Sequence, residues 1–223
     1  MSYDSLLSSF KKFASHFHPI LDSRQSTYNG TLLVGYVNGK KILNTQNANY
    51  SFGSLHRIMR FALAEVSCPE TEDILLLGLG GGSVISILKD DLQRTNHIVA
   101  VDFDPIVIEV AREDFGLDRH ANTEVISMDA ASFMENTSKT FGLIIIDLFI
   151  NNVVPRAFFQ EAFWQDIIRS TIPRGKIVFN LIAKTLDQAL LDQVTEQLQQ
   201  AGFSIAIHHR IETTNTLMIA KLR

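Results

Sequence analysis

The chain has 223 residues, 46% hydrophobic and 20% charged, enough apolar material for one filled domain and unlike a disordered or fibrous chain. A formal net charge of -4 without a run of Lys or Arg argues against nucleic acid as a partner, because neutralising phosphates needs clustered cations. Cys68 is the only cysteine, so no internal disulfide forms; with no apolar run near the roughly 20 residues of a membrane span and no signal-peptide core, the expectation is a cytoplasmic protein off the membrane.

In chain order, Leu6, Leu7, Phe10, Phe13, Ala14 and Phe17 recur at helical spacing, predicting an amphipathic helix over 5–17 that docks on the body of the protein. Residues 31–43 read as a β-hairpin turning at Asn38-Gly39, a dipeptide that accepts positive φ at both central positions of a type I′ turn. Asn29-Gly30 suggests another turn just before it. A helix with Leu55, Ile58, Met59 and Ala62 on one face follows, and Ser54 is placed to cap it. We divide the chain into an extension of helix and β-hairpin, 1–48, and a catalytic domain, 49–223.

From residue 73 strands and helices alternate. Strands are expected at 74–79, 97–104, 123–130, 141–149 and 175–182, with helices between them and a last helix at 185–201 closing on Gly202. The tail differs: 203–209 and 216–222 are strands joined by too few residues for a parallel crossover, so they pair antiparallel. The expected fold is α/β, a doubly wound, mostly parallel seven-stranded sheet ending in an antiparallel hairpin.

Three places on this frame carry chemistry. Gly78, Gly80 and Gly82 form a G-x-G-x-G turn between a buried strand and a helix, where glycine permits sharp turning and close approach of a ligand. Asp102 ends the next strand twenty residues after Gly82, the separation typical of a carboxylate that holds a ribose diol. Asp104 before Pro105 is equally suited to cap the following helix. Asp129 ends the third strand, where an acidic side chain can receive an adenine amino group. Asp147 follows an almost wholly apolar run, at the sheet edge where ligands of open α/β folds bind. Ser83 replaces the last glycine of the dinucleotide fingerprint, which speaks against hydride transfer. His16 and His18 have no cysteine or acidic cluster beside them, so no metal is expected. Cys68 has no partner base.

The phrases ILLLGLGGG, VDFDPIVIEVAREDFGL, SMDAASFM and FGLIIIDLF, with SLHRIM before them, resemble the spermidine synthase family and its methyltransferase-like relatives, within the class I S-adenosylmethionine-dependent superfamily. The resemblance implies that Gly78, Gly80 and Gly82 line the amino-acid or aminopropyl end of the cofactor. It implies Asp102 on the ribose, Asp129 and Ala130 near the adenine, and Asp147 drawing a proton from the attacking amine. It gives His56 a place near the cofactor.

The sequence also departs from that family. Gly81 stands where aminopropyltransferases carry the aspartate that meets decarboxylated S-adenosylmethionine, Ile150 stands for a polyamine-binding aspartate, and Leu55 and Arg57 replace a tyrosine and a glutamate. Desolvating ammonium groups without carboxylate partners costs several kcal/mol each, on the order of effective ion penalties. The expectation is therefore methyl transfer from S-adenosylmethionine to a small-molecule acceptor, with Asp147 and His56 as candidate bases. Aminopropyl transfer and a non-catalytic nucleoside-binding role are the alternatives, and a homodimer fits the family. Tyr50 is read as packed under the N-terminal β-unit, with the acceptor side as its alternative, and Asn151 and Asn152, just past Asp147, fit either loop polarity or contact with an acceptor.

Overall fold

The computed structural model describes residues 3–45, 49–51, 54–150, 153–212 and 214–223. Asn151, Asn152 and the side chains of Leu6, Tyr50, Ser54 and Leu55 lie outside the described residues.

The chain opens with helix α1 (Tyr3–Ala14) and a four-stranded antiparallel meander, β1 (Ile20–Ser26), β2 (Gly30–Val37), β3 (Lys40–Thr45) and β4 (Asn49–Ser51). The β2–β3 turn is Asn38-Gly39 with φ of 49° and 73°, so both residues occupy the left-handed region as the dipeptide predicted. Strand β1 was not foreseen. Its polar ILDSRQS run is exposed at all but its two ends, so no apolar alternation marks it.

Helix α1 corrects an expectation. Phe10, Phe13 and Phe17 stay 65–79% exposed instead of docking on the body. The helix end is held by polar contacts: the Ser15 carbonyl accepts from Asn38 N at 3.0 Å and its hydroxyl from Gly39 N at 2.9 Å. These bonds clasp the hairpin turn and leave the aromatic face turned outward.

The main sheet has the order β10-β11-β9-β8-β5-β6-β7. Its strands are β5 (Ile74–Leu77), β6 (Ile98–Asp102), β7 (Thr123–Ser127), β8 (Phe141–Ile146), β9 (Thr171–Ile182), β10 (Phe203–Ile211) and β11 (Asn215–Leu222). β5 to β9 are parallel. β11 runs antiparallel to both neighbours, inserted between β9 and β10. The doubly wound seven-stranded sheet with a terminal antiparallel hairpin is therefore present. β5 and β8 are buried at every position because helices cover both faces.

Helices α2 (Ser54–Glu65), α3 (Ser83–Ser86) and α4 (Pro105–Glu113) serve one face. Helices α5 (Ala130–Asn136), α6 (Glu161–Arg169) and α7 (Gln188–Gln200) serve the other. α3 continues as a π-turn over Ile87–Asp91, and a 3-10 turn, Arg156–Phe159, precedes α6. No described helix is long and apolar enough to cross a membrane.

The N-terminal sheet rests on α4. Leu32, Val34 and Leu43 pack on Val107 and Val110, each at most 2% exposed. Arg24 reaches Glu113 at 3.1 Å and Lys41 reaches Asp114 at 2.9 Å. The firmest link is Asp104. Its carboxylate caps α4 through Ile106 N at 2.9 Å and also accepts from the Ser26 hydroxyl and, at 2.6 Å, from Asn29 Nδ2. Donors on both oxygens offset the cost of taking this fully buried carboxyl group out of water.

Candidate active site

The strand order reverses between β5 and β8, which opens a crevice at the carboxyl ends of those strands. The glycine loop leaves β5 on one side of it and Asp147 leaves β8 on the other. Gly78 has φ of 92°, and a β-carbon there would lie 2.2 Å from the Asp147 carbonyl oxygen. Only glycine allows the two backbones to approach this closely. Gly80 and Gly82, with φ of 51° and 77°, continue the left-handed turn into α3.

Asp102 shapes that loop. One carboxylate oxygen accepts from Leu79 N at 2.9 Å and Gly80 N at 3.4 Å; the other accepts from Asp104 N at 3.0 Å. Burial pushes its pKa up, opposed by these backbone hydrogen bonds. Asp104, not Asp102, caps α4.

Asp129 stands at the same sheet edge: Met128 N donates to the Asp102 carbonyl at 3.0 Å, one residue before it. Its Oδ1 accepts from Ser132 N at 2.9 Å and caps α5, with the side chain exposed to solvent. Ala130 is 5% exposed and packs into the core beneath.

Asp147 is the second perturbed carboxylate of the site. Burial drives its pKa up to about 6, partly countered by the hydrogen bond from Asn180 Nδ2 to Oδ1 at 2.8 Å. Such a group is mostly ionised at neutral pH and still basic enough to take a proton. Asn180, in β9, was missed in the sequence. The available signal was an asparagine inside the apolar run IVFNLI, where a buried amide must find partners.

Gly78, Gly80, Gly82, Asp102 and Asp147 thus converge at one crevice, with Asp129 beside it. His56 stands on α2. Its Nε2 lies 3.0 Å from Asp91, which also meets Arg60 at 3.3 Å. Asp91 ends the helical segment that begins after Gly82, roughly 13 Å farther along at a helical rise of about 1.5 Å per residue. A cavity of about 380 Å³ lined by Val154, Phe159 and Leu181 lies beyond β9. Strand alternation turns Leu181 to the face opposite Asn180, so this cavity and the Asp147 side chain lie on different sides of the sheet.

The fold and this crevice define the class I S-adenosylmethionine-dependent methyltransferase fold. The family model for the spermine/spermidine synthase domain matches residues 56–217, and the chain belongs to that family. Among curated proteins, the chain is similar to the eEF1A lysine and N-terminal methyltransferase homolog of Drosophila melanogaster, 26% identical over 156 residues, covering 66% of this chain and 23% of that protein. It is also similar to the polyamine aminopropyltransferase of Vibrio vulnificus, 30% identical over 115 residues, covering 50% of this chain and 38% of that enzyme. The chain thus spans about a quarter of the first relative and under two fifths of the second.

Among solved structures, human methyltransferase-like protein 13 in complex with SAH aligns with a TM-score of 0.63 and 25% identity, over 77% of this chain and 83% of that one. A probable spermidine synthase from Corynebacterium glutamicum aligns with a TM-score of 0.62 and 17% identity, over 92% and 77%, which bears on the fold alone.

Proposed function

We propose that the protein is an S-adenosylmethionine-dependent methyltransferase whose acceptor is an amine nitrogen. The observation that carries this reading is Asp147: a half-buried carboxylate with a pKa of about 6, against a glycine loop that has no acid at position 81. The names of the relatives converge on amines, a lysine or N-terminal amine for one group and a polyamine for the other.

The residues fit the cofactor. The Asp102 oxygens retain lone pairs for the ribose hydroxyls while they hold Leu79, Gly80 and Asp104. Asp129 keeps one oxygen outside its capping bond for the adenine amino group, with Ala130 beneath it. Gly78, Gly80 and Gly82 would line the amino-acid end. Ser83 supports a polar ligand there: its buried hydroxyl has no hydrogen-bond partner among the described residues. With Gly81 in place of an aspartate, the loop offers no repulsion to an intact carboxylate.

When bound, the sulfonium supplies an already activated methyl group. What the chain must add is alignment, which can contribute roughly 7–11 kcal/mol, and removal of a proton from the amine, the role of Asp147. His56, held by Asp91, is a support for α2 in this reading and not a base.

Calorimetric binding of S-adenosylmethionine against its decarboxylated form tests the proposal, with Gly81→Asp as the reversing variant. The intact cofactor is expected to bind more tightly to the natural chain and less tightly to the variant. No binding at millimolar concentration would sink the reading. Preference for the decarboxylated form would favour aminopropyl transfer, the second reading, which the family and the Vibrio relative support. Transfer of labelled methyl to an amine-bearing peptide or to a free diamine separates a protein acceptor, suggested by the eEF1A-directed relatives, from a small-molecule one. A homodimer and a cytoplasmic setting complete the reading; sedimentation tests the first and cell imaging the second.

A further inference from the structure

In the apolar run IVFNLI of β9, Asn180 is the one polar side chain. Asn180 is fully buried, so both ends of its amide must be satisfied inside the protein. Its Nδ2 donates to Asp147 Oδ1 at 2.8 Å, and its Oδ1 accepts from Nδ2 of Asn215 at 2.8 Å. Asn215, 6% exposed in β11, accepts in turn from the Thr214 hydroxyl at 2.7 Å. Thr214 is exposed in the β10–β11 turn. Three side chains therefore run from the exposed turn to the half-buried carboxylate.

This chain has only one consistent direction. An ionised carboxylate can only accept, so Asn180 must present its NH₂ to Asp147 and its oxygen to Asn215. Asn215 must then present its NH₂ to Asn180, which leaves its oxygen for Thr214 to donate to. A proton on Oδ1 of Asp147 would set donor against donor and break the sequence at its first link. Oδ2 accepts no hydrogen bond among the described residues, and a proton there leaves the chain intact.

We propose that Asn180 and Asn215 are positioning residues for Asp147: their one-way amide chain reserves Oδ2 as the atom that takes the acceptor's proton. The assignment rests on the reading of Asp147 as the proton acceptor. It explains why two asparagines occupy buried positions on β9 and β11, where apolar residues would pack with less desolvation cost.

Among the described residues, no charged side chain is bonded to this carboxylate. The loop after β5 gives it the Gly78 backbone, β9 gives it Asn180, and β11 stands behind with Asn215. Of the other carboxylates at the sheet edge, Asp102 lies across β5 and is turned to Leu79, Gly80 and Asp104, and Asp129 is turned to Ser132 N at the start of α5. The ion pair of Arg57 with Glu212, at 2.7 Å, belongs to the outer end of the β10–β11 turn. Burial raises the proton affinity of Asp147 and the Asn180 bond lowers it.

The test is a carbon-13 NMR titration of the Asp147 carboxyl in the full chain, with neither cofactor nor acceptor added. Asn180→Leu is expected to raise the midpoint by about one pH unit, the effect of losing a hydrogen bond to the charged form. Asn215→Leu frees the Asn180 amide to turn over and is expected to raise it less. Thr214→Val, in an exposed turn that tolerates it, is expected to raise it least, and Thr214→Ser, which keeps the donor, not at all. An unchanged midpoint in Asn180→Leu that melts like the natural chain overturns the proposal. So does an equal midpoint in Thr214→Val and Thr214→Ser, a comparison that still decides if the asparagine variants do not fold. Because the midpoint is read without turnover, failure of the methyltransferase reading and failure of this chain give different results.

Discussion

The carbonyl oxygen of Asp147 lies 2.2 Å from where a β-carbon at Gly78 would sit, so the glycine loop and the proposed base hold each other in place. The pairing joins β5 to β8 at the point where the strand order reverses. A side chain at position 78 has nowhere to go except by pushing the two strand ends apart.

Gly78→Ala is therefore expected to cost about 2 kcal/mol or more in stability, from the forbidden contact added to a left-handed φ, and to abolish cofactor binding. Gly82→Ala is the control. Its β-carbon would meet only Leu117 at 3.7 Å, an ordinary contact, so its cost is the backbone strain of about 1 kcal/mol. Urea denaturation of the two variants, side by side, checks the difference.

Asp147→Asn is expected to lose turnover and gain stability. The native pKa of about 6 lies above the ordinary 3.8, so the folded protein holds this proton more tightly than the unfolded chain does. The stabilising contribution of the protonated group is full below pH 3.8 and disappears as pH rises through 6. Above pH 6 the natural chain bears the cost of the buried charge, about 3 kcal/mol for a displacement of this size. The asparagine variant escapes it, so its advantage grows from pH 4 to pH 7, as thermal melts across that range would reveal. The natural enzyme should show a rate profile that falls on the acid side near pH 6.

Asp104→Ala is expected to loosen the N-terminal sheet from the main domain. It removes the cap of α4 and leaves Ser26 and Asn29 without their shared acceptor, for a loss of roughly 3 kcal/mol. Limited proteolysis should then cut between Ser26 and the start of α2 before the main sheet opens. Equal protection of both parts would show that the apolar contact with α4 suffices.

Cys68 is expected to resist alkylation. Burial, with the Glu72 carboxylate beside it, pushes the thiol up to about 11 from an ordinary 9.0, so the thiolate is scarce at neutral pH. Iodoacetamide should react about a hundredfold more slowly than with free cysteine, and as fast as free cysteine once the chain is unfolded in urea.

Much of this was legible along the chain. The continuous apolar runs of β5 and β8, the glycines between β5 and α3, and the short join between β10 and β11 predict a parallel sheet with an antiparallel end. They do so because strand burial and crossover length are local constraints. Asp102, Asp129 and Asp147 were visible for the same reason: each is an acidic residue at or just beyond the end of a strand. His56 shows the limit. Its position near the cofactor was inferred by resemblance, and its contact with Asp91 came only from tertiary packing.

What the sequence by itself determined is the order of the elements, the class of sheet and the acidic residues at its carboxyl edge, since periodicity, turn chemistry and strand length are written in neighbouring residues. Only the tertiary structure decided which of those residues meet. Ser26 and Asn29 reach Asp104 across more than seventy residues, and Thr214 and Asn215 reach Asp147 through Asn180 because β11 is inserted beside β9. The exposed aromatic face of α1 was also beyond the sequence, because periodicity defines an apolar stripe but not whether a surface lies opposite it. Buried polar groups must find partners, and the partners available are set by the sheet order and not by separation along the chain.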